Sequence, residues 1–264
     1  MQDTDLQKDI QLVAECGPIR VWSLVVTILG DLCQRPEDFL PGRTLNMLVE
    51  RLGINNQALR VALHRLRRDG WIRTERDGRA SNYFLSDQGR AMTQSVRNQV
   101  YTPTPTRNIP IRMVMAAPSV PAADFADLLP DDAMSLSARV ALVADTDSQF
   151  DDCLVTAFSP QTLPNWAIDT IAPPDLCSEY TQLHSAVTQM LNRPIPASLA
   201  DRTALRLVIL HHWRRLILRQ NVLADILMPA DWAGSNAREA VMSALERYAR
   251  PDLQTLRAMQ DGND

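Results

Sequence analysis

The chain has 264 residues, 45% of them hydrophobic and 22% charged, and a formal net charge of -4. That length exceeds the roughly 100–200 residues of one domain and predicts two or three. No apolar run reaches the ~18 residues of a membrane span, and residues 1–15 are too polar for a secretory leader. Cys16, Cys33, Cys153 and Cys177 are too scattered for a CxxC metal clip, so a cytoplasmic protein with reduced thiols and no metal or cofactor is expected.

Residues 1–17 read as a frayed polar leader, and 18–101 as the first domain. From Pro18, Val21, Leu24, Val25, Ile28, Leu29 and Leu32 fall at helical spacings. Arg35-Pro36-Glu37-Asp38 ends that helix. A short amphipathic helix carrying Leu45, Leu48, Val49 and Leu52 stops at Gly53. A third starts behind the N-cap Asn55 and turns Leu59, Ala62, Leu63 and Leu66 to the core. Trp71–Arg76 and Ser81–Leu85 flank an Asp77-Gly78 turn, a favoured hairpin dipeptide. Ser86 caps a helix reaching about Val100. Two tight helices followed by a hairpin form a winged helix-turn-helix, whose second helix is shaped for a DNA major groove.

Charge supports that reading locally. Between Arg43 and Arg90 ten arginines face five acids, so this segment is +5 and the remainder -9. Phosphate binding responds to the local face rather than to the total. With the leucines inward, Gln57, Val61, His64 and Arg68 lie opposite them, and Asn56, Arg60 and Arg65 on the flanks. Asn56 and Gln57 suit adenine edges and Arg60 guanine, while His64 suits a base or a phosphate. Arg76 and Arg79 at the wing tip suit the minor groove or phosphate. The plainer alternative is that Arg65, Arg67 and Arg68 only solvate the helix or pair with Glu50, Asp69 and Glu75; for Arg65 that alternative is the favoured one.

Residues 102–110 (TPTPTRNIP) are an extended linker. The block 111–174 reads as a small α+β domain. Its predicted strands are Ile111–Ala117, Ala138–Ala144 and Cys153–Phe158, with helices at about 121–129 and 162–171. Residues 175–264 are helical, with helices at 176–192, 198–219 and 235–249. In the middle one of these, Leu205, Val208, Ile209, Trp213 and Leu216 form the core stripe, leaving Arg206, His212 and Arg219 outward. Trp166, Trp213 and Trp232 read as core anchors rather than stacking platforms.

Here the sequence resembles a known family. VWSLVVTILGDL, LGINNQALRVALHRLRRDGWI and RASNYFLSDQGR are similar to the N-terminal region of the PaaX-like regulators, repressors of phenylacetate degradation genes. Leu210-His-His-Trp-Arg-Arg215 resembles that family's His-x-x-Arg-Arg helix, and Leu227-Met-Pro-Ala-Asp-Trp-Ala-Gly234 its Leu-Pro-x-Asp-Trp-x-Gly turn. The resemblance implies a winged helix-turn-helix, a ferredoxin-like middle domain and a helical C-terminal domain. It further implies a homodimer on an inverted repeat of double-stranded DNA, released by a CoA thioester such as phenylacetyl-CoA. His211, Arg214 and Arg215 are the ligand-binding candidates, because guanidinium groups grip phosphate in two-pronged fashion. Equally, this His/Arg cluster can pair with Asp225, Asp231 or Glu239 and only fix helices together.

Two rivals remain. One is a winged-helix DNA-binding protein with no small-molecule effector, whose other domains serve dimerisation or protein contacts. The other is a metal-dependent nuclease built on Asp145, Asp147, Asp151 and Asp152. DTDSQFDDCLVT lacks the glycine and terminal glutamate of a calcium loop, and no GxSxG or HExxH is present. No catalysis is expected.

Overall fold

The computed structural model describes residues 3–78, 80–105, 109–144, 148–159 and 163–259. It is a mixed α/β molecule, mainly helical, with two small antiparallel sheets. Residues 1–17, read as a polar leader, contain helix α1 (Asp3–Ala14), in which Leu6, Ile10 and Val13 are buried. Their i, i+4, i+7 spacing makes one apolar face, which packs on helices described below.

Helix α2 (Val21–Leu32) is nearly all apolar and buries most of its length. Strand β1 (Leu40–Pro41) leads into α3 (Gly42–Arg51), and α4 (Asn56–Arg68) follows. Gly53, at φ +73°, makes the left-handed turn between them that other side chains resist. Strands β2 (Ile72–Asp77) and β3 (Ala80–Leu85) form the expected hairpin, in register from Ile72↔Leu85 to Asp77↔Ala80. The unexpected β1 pairs with β3, giving the order β1-β3-β2. Ser86 accepts from the Gly89 amide at 3.0 Å and caps α5 (Asp87–Ser95), which continues as α6 (Arg97–Tyr101).

The middle block runs β4 (Ile111–Ala116), α7 (Ala122–Leu128), β5 (Met134–Ser137), β6 (Val140–Ala144), β7 (Cys153–Phe158) and α8 (Asn165–Ile171). Strand β5 was not foreseen, because Met134-Ser-Leu-Ser137 alternates over only four residues. The sheet order is β5-β6-β4-β7, every neighbouring pair antiparallel. On one face, Val114, Ala141 and Val143 pack with Phe125 of α7 and with Phe150. The other face is only partly covered by α8, leaving an apolar cavity of about 430 Å³ between Met113, Met115, Leu142 and Trp166. Trp166 is therefore no core anchor: Ala167 and Ile171 are the buried face of α8, and the indole is 59% exposed.

The C-terminal helices are α9 (Pro174–Leu191), α10 (Leu199–Ile217), α11 (Ala224–Leu227), α12 (Ala233–Arg247) and α13 (Leu253–Ala258). Helix α10 is buried on every side, by α1, α2, α3, α9 and α12. One apolar core joins it to α2, α3 and α4. Arg206 and His212 were expected to face outward; both are buried instead, because α10 has no outward face along this stretch. Arg206 donates to both oxygens of the fully buried Asp31, at 2.7 and 2.9 Å. Tyr101 Oη adds a third hydrogen bond at 2.9 Å, and Arg250 a fourth contact at 3.1 Å. One carboxylate of α2 thus ties α6, α10 and the segment after α12. Trp213 Nε1 donates to the Val100 carbonyl at 2.8 Å, and Arg257 to that of Phe39 at 2.6 Å.

Candidate nucleic-acid interface

Helix α4 owes its position to its two faces. Asn55 Oδ1 accepts from the Ala58 amide at 2.8 Å and starts the helix. Leu59, Ala62, Leu63 and Leu66 are buried, as the periodicity predicts. The opposite side stays in solvent: Gln57, Arg60, His64, Arg67 and Arg68 are exposed, and Val61 is 62% exposed. The hairpin stands beside this face. Between them lies a hollow of about 200 Å³, with Arg60, His64 and Arg67 on one wall and Thr74, Arg76, Ser81 and Tyr83 on the other.

The arginines here divide into two groups. Arg65 and Arg68 both reach Asp69, at 3.4 and 3.0 Å, and Arg65 also lies over the Trp22 ring at 5.2 Å. The Arg68 hydrogen bond is the main reason the Asp69 carboxyl sits below its ordinary pKa. Arg73 pairs with Glu75 and covers Phe84. Arg60, Arg67 and Arg76 form no ion pair or side-chain hydrogen bond among the described residues. Three uncompensated guanidinium groups around one hollow make a surface for a polyanion.

Most sequence-chosen residues meet here. Arg60, His64 and Arg76 line the hollow, while Gln57 and Arg68 are exposed on α4 outside its lining, with Arg68 engaged by Asp69. Asn56 stands apart: half-buried, its amide donates to Asn46 of α3 and helps fix the angle between the two helices. Arg79 lies outside the described residues. Arg67, outside the sequence-chosen set, also lines the hollow; it follows Arg60 by seven positions and His64 by three, which places all three on one helical face.

The second candidate set does not form one site. His211 and His212 are buried edge to face, with ring centroids 5.4 Å apart. Their ring nitrogens have no hydrogen-bond partner among the described residues. Burial, followed by neighbouring positive charge, lowers their pKa values to about 4 and about 3, so both are neutral. Arg215 pairs with Glu179 of α9 and donates to the Cys16 carbonyl at 2.8 Å, binding the turn after α1 to α9 and α10. The expected partners Asp225, Asp231 and Glu239 are not its partners; Asp225 is paired with Arg238 instead. Arg214 points elsewhere, into a groove beside α2. Asp151 and Asp152 form an exposed turn, and Asp145 and Asp147 lie outside the described residues.

Fold and face together define a mainly helical α/β protein that offers a cationic helix-and-hairpin surface. Two family descriptions match the chain: "PaaX-like protein" over residues 20–89, and "PaaX-like protein C-terminal domain" over 174–258. The chain belongs to the PaaX-like family. It is 25% identical over 282 aligned positions to the Transcriptional repressor PaaX of Escherichia coli (strain K12), covering 91% of this chain and 84% of that protein. Among solved structures it is similar to the Uncharacterized protein Rv0674 from Mycobacterium tuberculosis, at 20% identity and a TM-score of 0.49, covering 89% of this chain and 97% of that one.

Proposed function

We propose that this protein is a DNA-binding transcription regulator, a repressor, whose α3–α4 pair and β2–β3 hairpin act as a winged helix-turn-helix. The observation that carries this reading is the exposed side of α4 and the hairpin, where Arg60, Arg67 and Arg76 have no acidic partner among the described residues. Gln57 and Arg60 read bases, and exposed Val61 meets a thymine methyl. Arg76 grips the backbone or enters the minor groove. Kinship to a protein named as a transcriptional repressor supports the regulatory role. The protein works as a homodimer on an inverted repeat, since one such helix seldom supplies enough contacts. Release by a CoA thioester such as phenylacetyl-CoA belongs to the same proposal. It draws support from the family resemblance and from the 430 Å³ cavity against the middle sheet, a size within the roughly 300–1,000 Å³ of small-molecule sites.

A second reading has an observation of its own. Met115, Leu154 and Trp166, all exposed, put apolar surface around the middle sheet, which suits a protein contact in a regulator without an effector.

A gel-shift titration with DNA from upstream of this protein's gene tests the reading, repeated with phenylacetyl-CoA and other CoA thioesters. Specific binding relieved by one thioester is expected. Arg60→Ala should cost about 1–3 kcal/mol and relax sequence preference. Arg76→Ala should weaken all sequences alike and lower the salt slope by about one. If Gln57→Ala, Arg60→Ala and Arg76→Ala all leave operator binding unchanged, the DNA face lies elsewhere.

A further inference from the structure

Arginines in this chain are usually answered by an acid or by carbonyls. Arg206 has Asp31, Arg215 has Glu179, Arg238 has Asp225 and Arg193 has Asp9. One cluster away from the DNA-facing surface breaks that habit. Two adjoining hollows between α2, α5, α6 and α10 share Gly30, Thr93, Arg97 and Tyr101 as walls. The outer, about 180 Å³, adds Arg90 and Gln34; the inner, much narrower, adds Asp31 and Arg214. Helices α2 and α5 approach closely at Gly30, where an added Cβ would stand 3.3 Å from the Thr93 methyl, so the floor is tightly closed.

None of Arg90, Arg97 and Arg214 forms an ion pair among the described residues. Arg90 reaches only the Gln34 carbonyl, at 3.5 Å, while its Nη2 is buried without a partner there. Arg97 donates to the Gln34 side chain and lies 5.3 Å over the Tyr101 ring. The Arg214 side chain has neither ion pair nor hydrogen bond among these residues, and burial pushes its pKa below the ordinary value. Asp31 is the acid on the wall, but Arg206, Arg250 and Tyr101 already occupy it. A guanidinium withdrawn from water without a counter-charge costs stability; Arg90 and Arg214 are half-buried in this way, Arg97 stands exposed beside them, and a ligand at the groove supplies the negative charge that all three lack.

We propose that this groove binds the phosphate groups of a phosphorylated ligand, with Arg90, Arg97 and Arg214 as its anchors. Three planar forks match the several oxygens of a diphosphate better than the two of one carboxylate. The outer hollow is smaller than a site that engulfs a whole drug-sized ligand, so it takes the charged end and leaves the rest outside. The proposal sharpens the effector part of the reading above. Its place suits regulation, because the groove is walled by α2, the helix against which α4 packs.

Thermal unfolding of the full chain with inorganic phosphate, pyrophosphate or coenzyme A, against sodium chloride of matched ionic strength, tests it. Saturating pyrophosphate should raise Tm by roughly 5–10 °C, since a ligand of the folded form stabilises it. A larger rise with coenzyme A than with pyrophosphate assigns the phosphates to a coenzyme ligand; equal rises assign them to the free ion. Arg97→Gln and Arg214→Gln should each weaken pyrophosphate binding about tenfold or more. Arg214→Gln should leave the unliganded Tm unchanged or higher, because no structural partner is lost. No rise with pyrophosphate or coenzyme A overturns the site. So does a variant that lowers affinity for random-sequence DNA while pyrophosphate has no effect, which makes the groove a DNA backbone contact. Failure of operator binding with pyrophosphate binding intact removes the repressor reading and leaves this site standing.

Discussion

Helices α4 and α10 use the same residue types to opposite ends. Each carries arginines, at least one histidine and a run of leucines. On α4 the charged side chains sit on one exposed side, and three arginines at its hollow remain unpaired among the described residues. On α10 Arg206 and both histidines are drawn into the core, Arg206 paired with Asp31, while the half-buried Arg215 is paired with Glu179. A buried arginine with a carboxylate holds helices together; an arginine without one waits for a partner from outside. Arg214, on α10 yet unpaired, belongs functionally with the α4 group.

The largest expected effect tests the structural half of that contrast. Asp31→Asn leaves Arg206 buried without its counter-charge and should cost about 3–5 kcal/mol in urea unfolding; a loss under 1 kcal/mol would show the junction to be dispensable. Burial alone would raise the Asp31 pKa, but Arg206, Arg250 and Tyr101 together outweigh it and hold the carboxyl below the usual range. Its contribution is therefore present above the unfolded pKa and lost as pH falls through the depressed folded value.

Next come the buried histidines, whose folded pKa values of about 4 and about 3 lie below the unfolded 6.5. The unfolded chain binds protons first, so stability should fall as pH drops below 6.5, by roughly 2–4 kcal/mol at pH 5. His212→Leu should flatten much of that slope between pH 6.5 and 5; an unchanged slope would mean the rings reach water.

The smallest effect probes the surface. Asp69→Asn releases Arg65 and Arg68 from their shared acid. Exposed pairs are worth ~0–1 kcal/mol, so affinity for random-sequence DNA should rise about two- to threefold with a slightly steeper salt slope. Weaker binding would show that Asp69 positions the arginines rather than restraining them.

The same contrast explains what could be read from the sequence. Helix α4 was legible because it has two distinct faces, an N-cap and a glycine before it. Strands β2 and β3 were legible from Asp77-Gly78. Helix α10 was legible in extent but not in orientation: a helix buried all round gives no periodic signal, so Arg206 and His212 were turned the wrong way. Arg206 and its partner Asp31 are 175 positions apart, beyond any local pattern. Helix α1 is a different case, since Leu6, Ile10 and Val13 carried its signal but were outweighed by polar neighbours. The groove of Arg90, Arg97 and Arg214 was hidden because its walls come from three separated stretches of chain.

The Asp31 junction also has a consequence for biosynthesis. Arg250, which completes it, lies 219 positions downstream. A ribosome will have released α2, α3 and α4 long before the side chains that close over α2 exist. Contacts of such long sequence separation slow folding and leave apolar surface waiting. The helix-and-hairpin unit should therefore reach its final packing only after synthesis of the C-terminal helices, so that an unfinished chain does not yet present its cationic face in finished form.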